Sequence, residues 1–295
     1  MSNVPEVISE NKFYNFFISR NTPDIYKWSN YFELYEKYFS RFLSRPVRFL
    51  EIGVDRGGSS DMWKTYFGKD AIIVGIDILP ECKQFEDVSQ NRFIEIGDQS
   101  DPVFLQSIVD KYGYFDIILD DGSHLFEHQI KSLEILWNSL APDGVYMVED
   151  CHTSYYPKYD GWHNEKSSFI EYAKNFIDEV NAHHRLELMG KCSRFKDVHG
   201  VYCHSGVVVL EKKSYTVPYT SRSGKDAEKT SAVEEARRDC AYLARASRLH
   251  VIYWYLKVVL GFITFNKRML QIHMRNLKAR KILKMCDKRL TQTEL

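Results

Sequence analysis

Apolar and polar positions alternate so as to divide the first two-thirds of the chain into helices and strands in regular succession. Between residues 28 and 42, Trp28, Phe32, Leu34, Tyr35, Tyr38, Phe39 and Phe42 recur at helical spacing and predict a helix with one aromatic face. That face fits either a core-facing helix or an aromatic lid over a ring-shaped substrate. After Pro46 the pattern becomes a series of short apolar runs. Residues 47–52, 71–76, 93–96, 115–119 and 145–148 read as strands, each running into a polar cluster. Between them, helical spacing follows the first strand at Met62-Trp63 and recurs over 102–112 and 128–140, with a turn at Pro142-Asp143-Gly144. Such alternation predicts an α/β fold with a doubly wound parallel sheet. Residues 167–180 predict a further helix. Residues 186–189 and 205–210 predict closing strands, an antiparallel pair at the sheet edge.

Composition adds a boundary. Formal charge over the 295 residues is zero, yet residues 241–295 carry 12 Lys and Arg against 2 Asp and Glu, so this tail is +10 and the rest −10. Pro218, Ser221, Ser223 and Gly224 mark a linker before it. The expected organisation is a helical N-terminal lid segment (1–46), a cofactor-binding domain (47–212), a linker (213–230) and a helical basic tail (231–295). The tail's basic residues alternate with aliphatics, which argues against specific nucleic-acid binding and for peripheral membrane contact or oligomerisation through residues 241–290. Six cysteines without a CxxC pair point away from a disulfide framework or structural zinc. The N-terminus lacks a basic region followed by an apolar run, and no apolar run reaches membrane-spanning length. The expected location is cytoplasmic, on the inner membrane face if the tail binds lipid.

The chemistry is expected where the strands end, because ligands of open parallel sheets bind beyond the carboxyl ends of the strands. The first strand leads into Glu51-x-Gly53-x-x-x-Gly57-Gly58-Ser59, glycines that let a ligand approach the backbone ahead of a helix N-terminus. The spacing is not that of a dinucleotide fingerprint. Asp77 ends the second strand, where an acid can hold two ribose hydroxyls, and Asp98-Gln99 ends the third, where it can meet an adenine edge. Glycine turn, ribose acid and adenine pair in this order fit S-adenosylmethionine.

The fourth strand delivers Asp120-Asp121-Gly122-Ser123-His124 and the fifth Glu149-Asp150. Carboxylates converging from adjacent strands repel one another, and a divalent cation relieves this; oxygen ligands select Mg²⁺ or Mn²⁺. Asp121, Glu149 and Asp150 are the expected ligands. His124, on the same loop, is the expected general base, while Asp120 assists or faces the methionine end of the cofactor. His124-Leu125-Phe126-Glu127-His128 also matches an inverted zinc-protease motif, but it starts in the turn after a buried strand rather than within a helix.

Taken together, Phe49-Leu50-Glu51-Ile52-Gly53-Val54, Gly57-Gly58-Ser59, Met62-Trp63-Lys64, Gly75-Ile76-Asp77-Ile78, Ile96-Gly97-Asp98-Gln99, Asp120-Asp121-Gly122-Ser123-His124, His128-Gln129-Ile130 and Val148-Glu149-Asp150-x-His152-Thr153-Ser154-Tyr155 resemble the metal-dependent class I methyltransferases that act on sugar hydroxyls. The resemblance spans residues 20–212. It implies a Rossmann-like methyltransferase sheet, S-adenosylmethionine, Mg²⁺ on Asp121, Glu149 and Asp150, His124 as base, and a glycan, glycolipid or glycosylated small molecule as acceptor. Tyr31, His152 and Tyr155 are the expected acceptor contacts. Two departures stand out: Tyr159-Asp160-Gly161-Trp162-His163-Asn164 replaces the family's glycine-rich loop, and the basic tail has no counterpart. The competing expectations are an iron-dependent hydroxylase, as one group of relatives is labelled, and a non-catalytic cofactor-binding scaffold for glycan assembly.

Overall fold

A computed structural model describes residues 11–19, 24–182, 195 and 197–214. The linker from residue 215 on, the basic tail and the strand expected at 186–189 lie outside the described residues. In chain order the described elements are helices α1 (Lys12–Ser19) and α2 (Tyr31–Phe39), strand β1 (Arg48–Ile52), α3 (Gly58–Phe67), β2 (Ile72–Asp77), β3 (Arg92–Ile96), α4 (Pro102–Tyr112), β4 (Phe115–Asp120), α5 (Phe126–Leu136), β5 (Leu140–Val148), α6 (Phe169–Lys174), α7 (Phe176–Val180), β6 (Val198–His204) and β7 (Val207–Lys212).

The seven strands form one sheet in the order β3-β2-β1-β4-β5-β7-β6. Strands β1 to β5 are mutually parallel, and β7 runs antiparallel between β5 and β6. Strand order reverses between β1 and β4, which opens a crevice at their carboxyl ends. Register then sets what meets there. Ile52 pairs with Asp120 and Asp120 with Val148, so Gly53, Asp121 and Glu149 leave the sheet at one level.

Because successive strand residues point to opposite faces, each apolar run feeds two cores. Leu50, Ile118 and Tyr146 face a layer that includes Leu105, Leu133 and Phe169. Phe49, Ile117 and Val145 face Phe13, Tyr35, Phe39 and Trp63 on the other side. The aromatic face of α2 is therefore core: Trp63 stacks on Phe49 at 4.8 Å and meets Tyr35 edge-on at 4.9 Å. Tyr35 and Phe39 have no exposed surface.

Two elements differ from expectation. The helix expected over 128–140 starts at Phe126 and ends in a single 3-10 turn, Trp137–Ser139; Leu140 already pairs with Phe115. Pro142-Asp143-Gly144 makes no sharp turn but an irregularity inside β5, where register jumps from Leu140–Phe115 to Val145–Ile117. The edge hairpin is β6 with β7, turned by Ser205-Gly206 with Gly206 at φ +79°. Its first strand escapes sequence patterning because it lies at the sheet's edge, with buried and exposed positions alternating poorly.

Candidate functional site

The glycine turn is shaped by contact with β4. Gly53 has φ +93°, and a Cβ there would sit 2.2 Å from the Asp121 carbonyl oxygen, so only glycine allows the two loops to touch. Asp77, from the end of β2, binds this turn with one carboxylate oxygen, accepting from the backbone N–H groups of Val54 and Asp55 at 2.8 and 3.0 Å; its other oxygen accepts from Leu79 N–H. A carboxylate has lone pairs to spare beyond these three bonds. Glu51 is turned away, wholly buried, and takes hydrogen bonds from Ser60 and the Trp63 indole; burial pushes its carboxyl up. Ser59, also buried, lies in the first turn of α3 behind Gly57.

At the end of β3, Asp98 accepts from Ser100 N–H at 2.7 Å, which holds its carboxyl low. Gln99 points into β4: its amide nitrogen donates to both oxygens of Asp120, at 3.1 and 3.3 Å, and its oxygen accepts from Ser123 N–H at 2.7 Å. Asp120 has no exposed surface and is held by Ser132 from the opposite side; burial pushes its carboxyl up. Gln99 and Asp120, expected against the cofactor, thus occupy their polar atoms in fixing the β4 loop.

Beyond Asp120, the remaining acids converge as the strand register requires. Asp121 is half-buried and Glu149 fully buried, and both bind one cation, the Lys27 ammonium, whose Nζ lies 2.9 Å from Glu149 Oε2 and also bonds Asp121 Oδ2. Burial alone would lower the lysine; the negative charges of Asp121, Glu149 and Glu51 outweigh it and raise it well above its ordinary value. The Tyr35 hydroxyl donates to the other oxygen of Glu149, and burial pushes that carboxyl up against the pull of Lys27.

Asp150 accepts from the Tyr31 hydroxyl at 2.6 Å and faces His124 Nε2 at 3.4 Å. His124 and Asp150 both hold left-handed backbone, φ +58° and +52°, an arrangement that costs energy in non-glycine residues and clusters at functional sites. His124 Nδ1 is buried without a hydrogen-bond partner. Asp121, His124 and Asp150 offer ligand atoms all within 4.8 Å of one another. Two carboxylates, an imidazole and a neighbouring buried glutamate, already drawing in an ammonium, form a donor set that fits a hard divalent cation.

The acceptor side is aromatic. His152 lies 3.9 Å from Asp150 Oδ1, with the Trp28 ring edge-on at 5.4 Å and Tyr156 at 5.2 Å. Tyr155 is exposed beside them, whereas Tyr31 is buried and orients Asp150. Sequence reasoning missed Lys27, Ser132 and the acid-binding role of Tyr35. Ser132 and Tyr35 lie within helical patterns that read as packing alone, and Lys27 is a lone cation between two aromatics in an irregular stretch.

No family model matches the chain. The 8-demethyl-8-alpha-L-rhamnosyl tetracenomycin-C 2'-O-methyltransferase of Streptomyces olivaceus is 31% identical over 203 residues, 64% of this chain and 52% of that protein. Mycinamicin VI 2''-O-methyltransferase of Micromonospora griseorubida is 40% identical over 193 residues, 60% of this chain and 47% of the relative. The chain thus spans about half the length of the curated relatives it matches. The structure of MycE methyltransferase from the mycinamycin biosynthetic pathway, in complex with Mg, SAH and mycinamycin VI, matches at a TM-score of 0.58 and 27% identity, covering 72% of this chain and 56% of that one. In its sheet order and strand-end residues, and by these similarities, the described part of the chain resembles the sugar O-methyltransferases among the class I S-adenosylmethionine methyltransferases.

Proposed function

We propose that the protein transfers a methyl group from S-adenosylmethionine to a sugar hydroxyl, with a divalent cation, Mg²⁺ or Mn²⁺, as cofactor. The observation that carries this is the convergence of Asp121, Glu149, Asp150 and His124 at the carboxyl ends of β4 and β5, one strand from the Gly53 turn. The similar MycE methyltransferase, crystallised with Mg, SAH and mycinamycin VI, supports the same choice of cofactors and acceptor class.

In this reading Gly53, Gly57 and Asp77 seat the cofactor, and Asp98 borders its base. Asp121, Glu149 and Asp150 would hold the cation, which supplies Lewis acidity to an acceptor hydroxyl. His124 takes the hydroxyl proton as base, and the oxygen attacks the sulfonium methyl group, whose bond to sulfur breaks to leave S-adenosylhomocysteine. Tyr31 fixes Asp150, while His152, Trp28 and Tyr155 border the space in which a sugar ring and its aglycone would lie. The hydroxylase and scaffold alternatives gain no support from the relatives, which are O-methyltransferases.

The test is transfer of labelled methyl from S-adenosylmethionine to deoxysugar glycosides, with and without EDTA. Transfer that survives EDTA unchanged removes the metal; cofactor binding without transfer to any acceptor favours the scaffold. For the basic tail, we propose peripheral membrane contact or self-association, which vesicle co-sedimentation and light scattering of the full chain against a truncation after Ser214 would separate.

A further inference from the structure

The proposed reaction makes no use of Lys27. Its side chain is 3% exposed, and its ammonium binds Asp121 and Glu149, two of the three carboxylates assigned above to the cation. Tyr35 holds one oxygen of Glu149 and Lys27 the other, and the same ammonium bridges to Asp121. A divalent cation bound by Asp121 and Glu149 would therefore lie within a few ångströms of that ammonium. Tyr35 is anchored in the aromatic core through Trp63 and Phe39. Lys27, on an irregular stretch before α2, has a long flexible stem, and two positive charges a few ångströms apart on the same carboxylates repel.

We propose that Lys27 is a resident counter-cation that competes with the divalent metal, closing the acid site in the metal-free protein and withdrawing when metal binds. Resting on the metal reading above, this assigns Lys27 two consequences. The metal-free site avoids buried unpaired acids, which would otherwise be costly. Metal arrival also shifts the segment bearing Lys27, which places Trp28 against His152 on the acceptor side and packs Asp24 against the start of α3, where a Gly58 Cβ would lie 2.3 Å from the Asp24 carbonyl oxygen. Metal loading and opening of the acceptor side are thereby linked.

The test is acetylation of the full-length protein with N-hydroxysuccinimidyl acetate, read at Lys27 by peptide mass spectrometry against the exposed Lys131. In EDTA, Lys27 is expected to be at least tenfold less reactive than Lys131, and saturating Mg²⁺ or Mn²⁺ is expected to abolish that protection. In parallel, Mn²⁺ affinity is measured by electron paramagnetic resonance for wild type, Lys27→Met and Lys27→Arg. Lys27→Met is expected to bind Mn²⁺ at least tenfold more tightly, and Lys27→Arg to stay near wild type. If Lys27→Met is unstable without metal, recovery of its melting temperature on adding Mn²⁺ supports competition, and no recovery refutes it. Metal binding with Lys27 still protected, or unchanged affinity in Lys27→Met, overturns the counter-cation while leaving the metal site intact. Failure of both wild type and Lys27→Met to bind Mn²⁺ overturns the metal reading itself.

Discussion

His124 Nε2 faces Asp150 Oδ2 at 3.4 Å, and each residue reaches that position from left-handed backbone at the end of a different strand. A contact held by strain at both ends is set by the sheet rather than by the loops' own preference. If His124 is the base, His124→Asn should fold normally, since asparagine tolerates left-handed backbone. Methyl transfer should fall by roughly 10²–10⁴-fold in kcat, the usual range for a lost general base. Steady-state kinetics beside calorimetric titration of S-adenosylhomocysteine check this: kcat within threefold of wild type sinks the base, and lost cofactor binding would mean that the loop had collapsed.

Metal removal should separate ligands from framework. Asp121→Asn and Asp150→Asn are each expected to weaken Mn²⁺ binding by at least tenfold, with little change in affinity for S-adenosylhomocysteine, whose proposed contacts lie at the Gly53 turn. Paramagnetic titration and calorimetry measure the two independently. Normal Mn²⁺ affinity in both variants would place the cation elsewhere.

The sheet was legible from the chain because β1, β2, β4 and β5 are buried on both faces and so read as unbroken apolar runs ending in polar clusters. Register carried the site: once β4 and β5 are neighbours, Asp121 and Glu149 must meet. Less legible was which acid has a free face. Asp120 and Asp121 are adjacent in sequence and opposite in role because the pleat sends Asp120 under α5, to Ser132, and Asp121 outward. Gln99 was read against adenine, yet its partners are Asp120 and Ser123, a choice fixed by the close approach of Gly122. Lys27 left no sequence signal because its two partners are 94 and 122 residues away.

Gly53→Ala tests the contact between the β1 and β4 loops. The new methyl group would meet the Asp121 carbonyl oxygen at 2.2 Å on backbone that alanine disfavours. A loss of about 2 kcal/mol or more is expected from strain at such a position together with the forced shift. Affinity for S-adenosylhomocysteine should fall as well. Chemical denaturation and calorimetry measure the two effects; a variant of wild-type stability would show that the loops are free to separate.

Ser132→Ala removes one of the two side chains that hold Asp120 in a site with no exposed surface. A buried carboxylate that loses a hydrogen bond costs roughly 1–3 kcal/mol, and Asp120 cannot turn to solvent to recover it. The single hydroxyl proton of Ser132 can go instead to the His128 or Gln129 carbonyl oxygen one turn back in α5, so part of the loss belongs to that helix. The double variant Ser132→Ala with Asp120→Asn separates the parts. An asparagine there is neutral and needs less compensation, so the serine deletion should cost less in that background. Urea denaturation of the four proteins gives the coupling energy, expected at about 0.5 kcal/mol or more for groups in one network. A coupling near zero would mean that Ser132 acts only on its helix, and that Gln99 alone sets the orientation of Asp120.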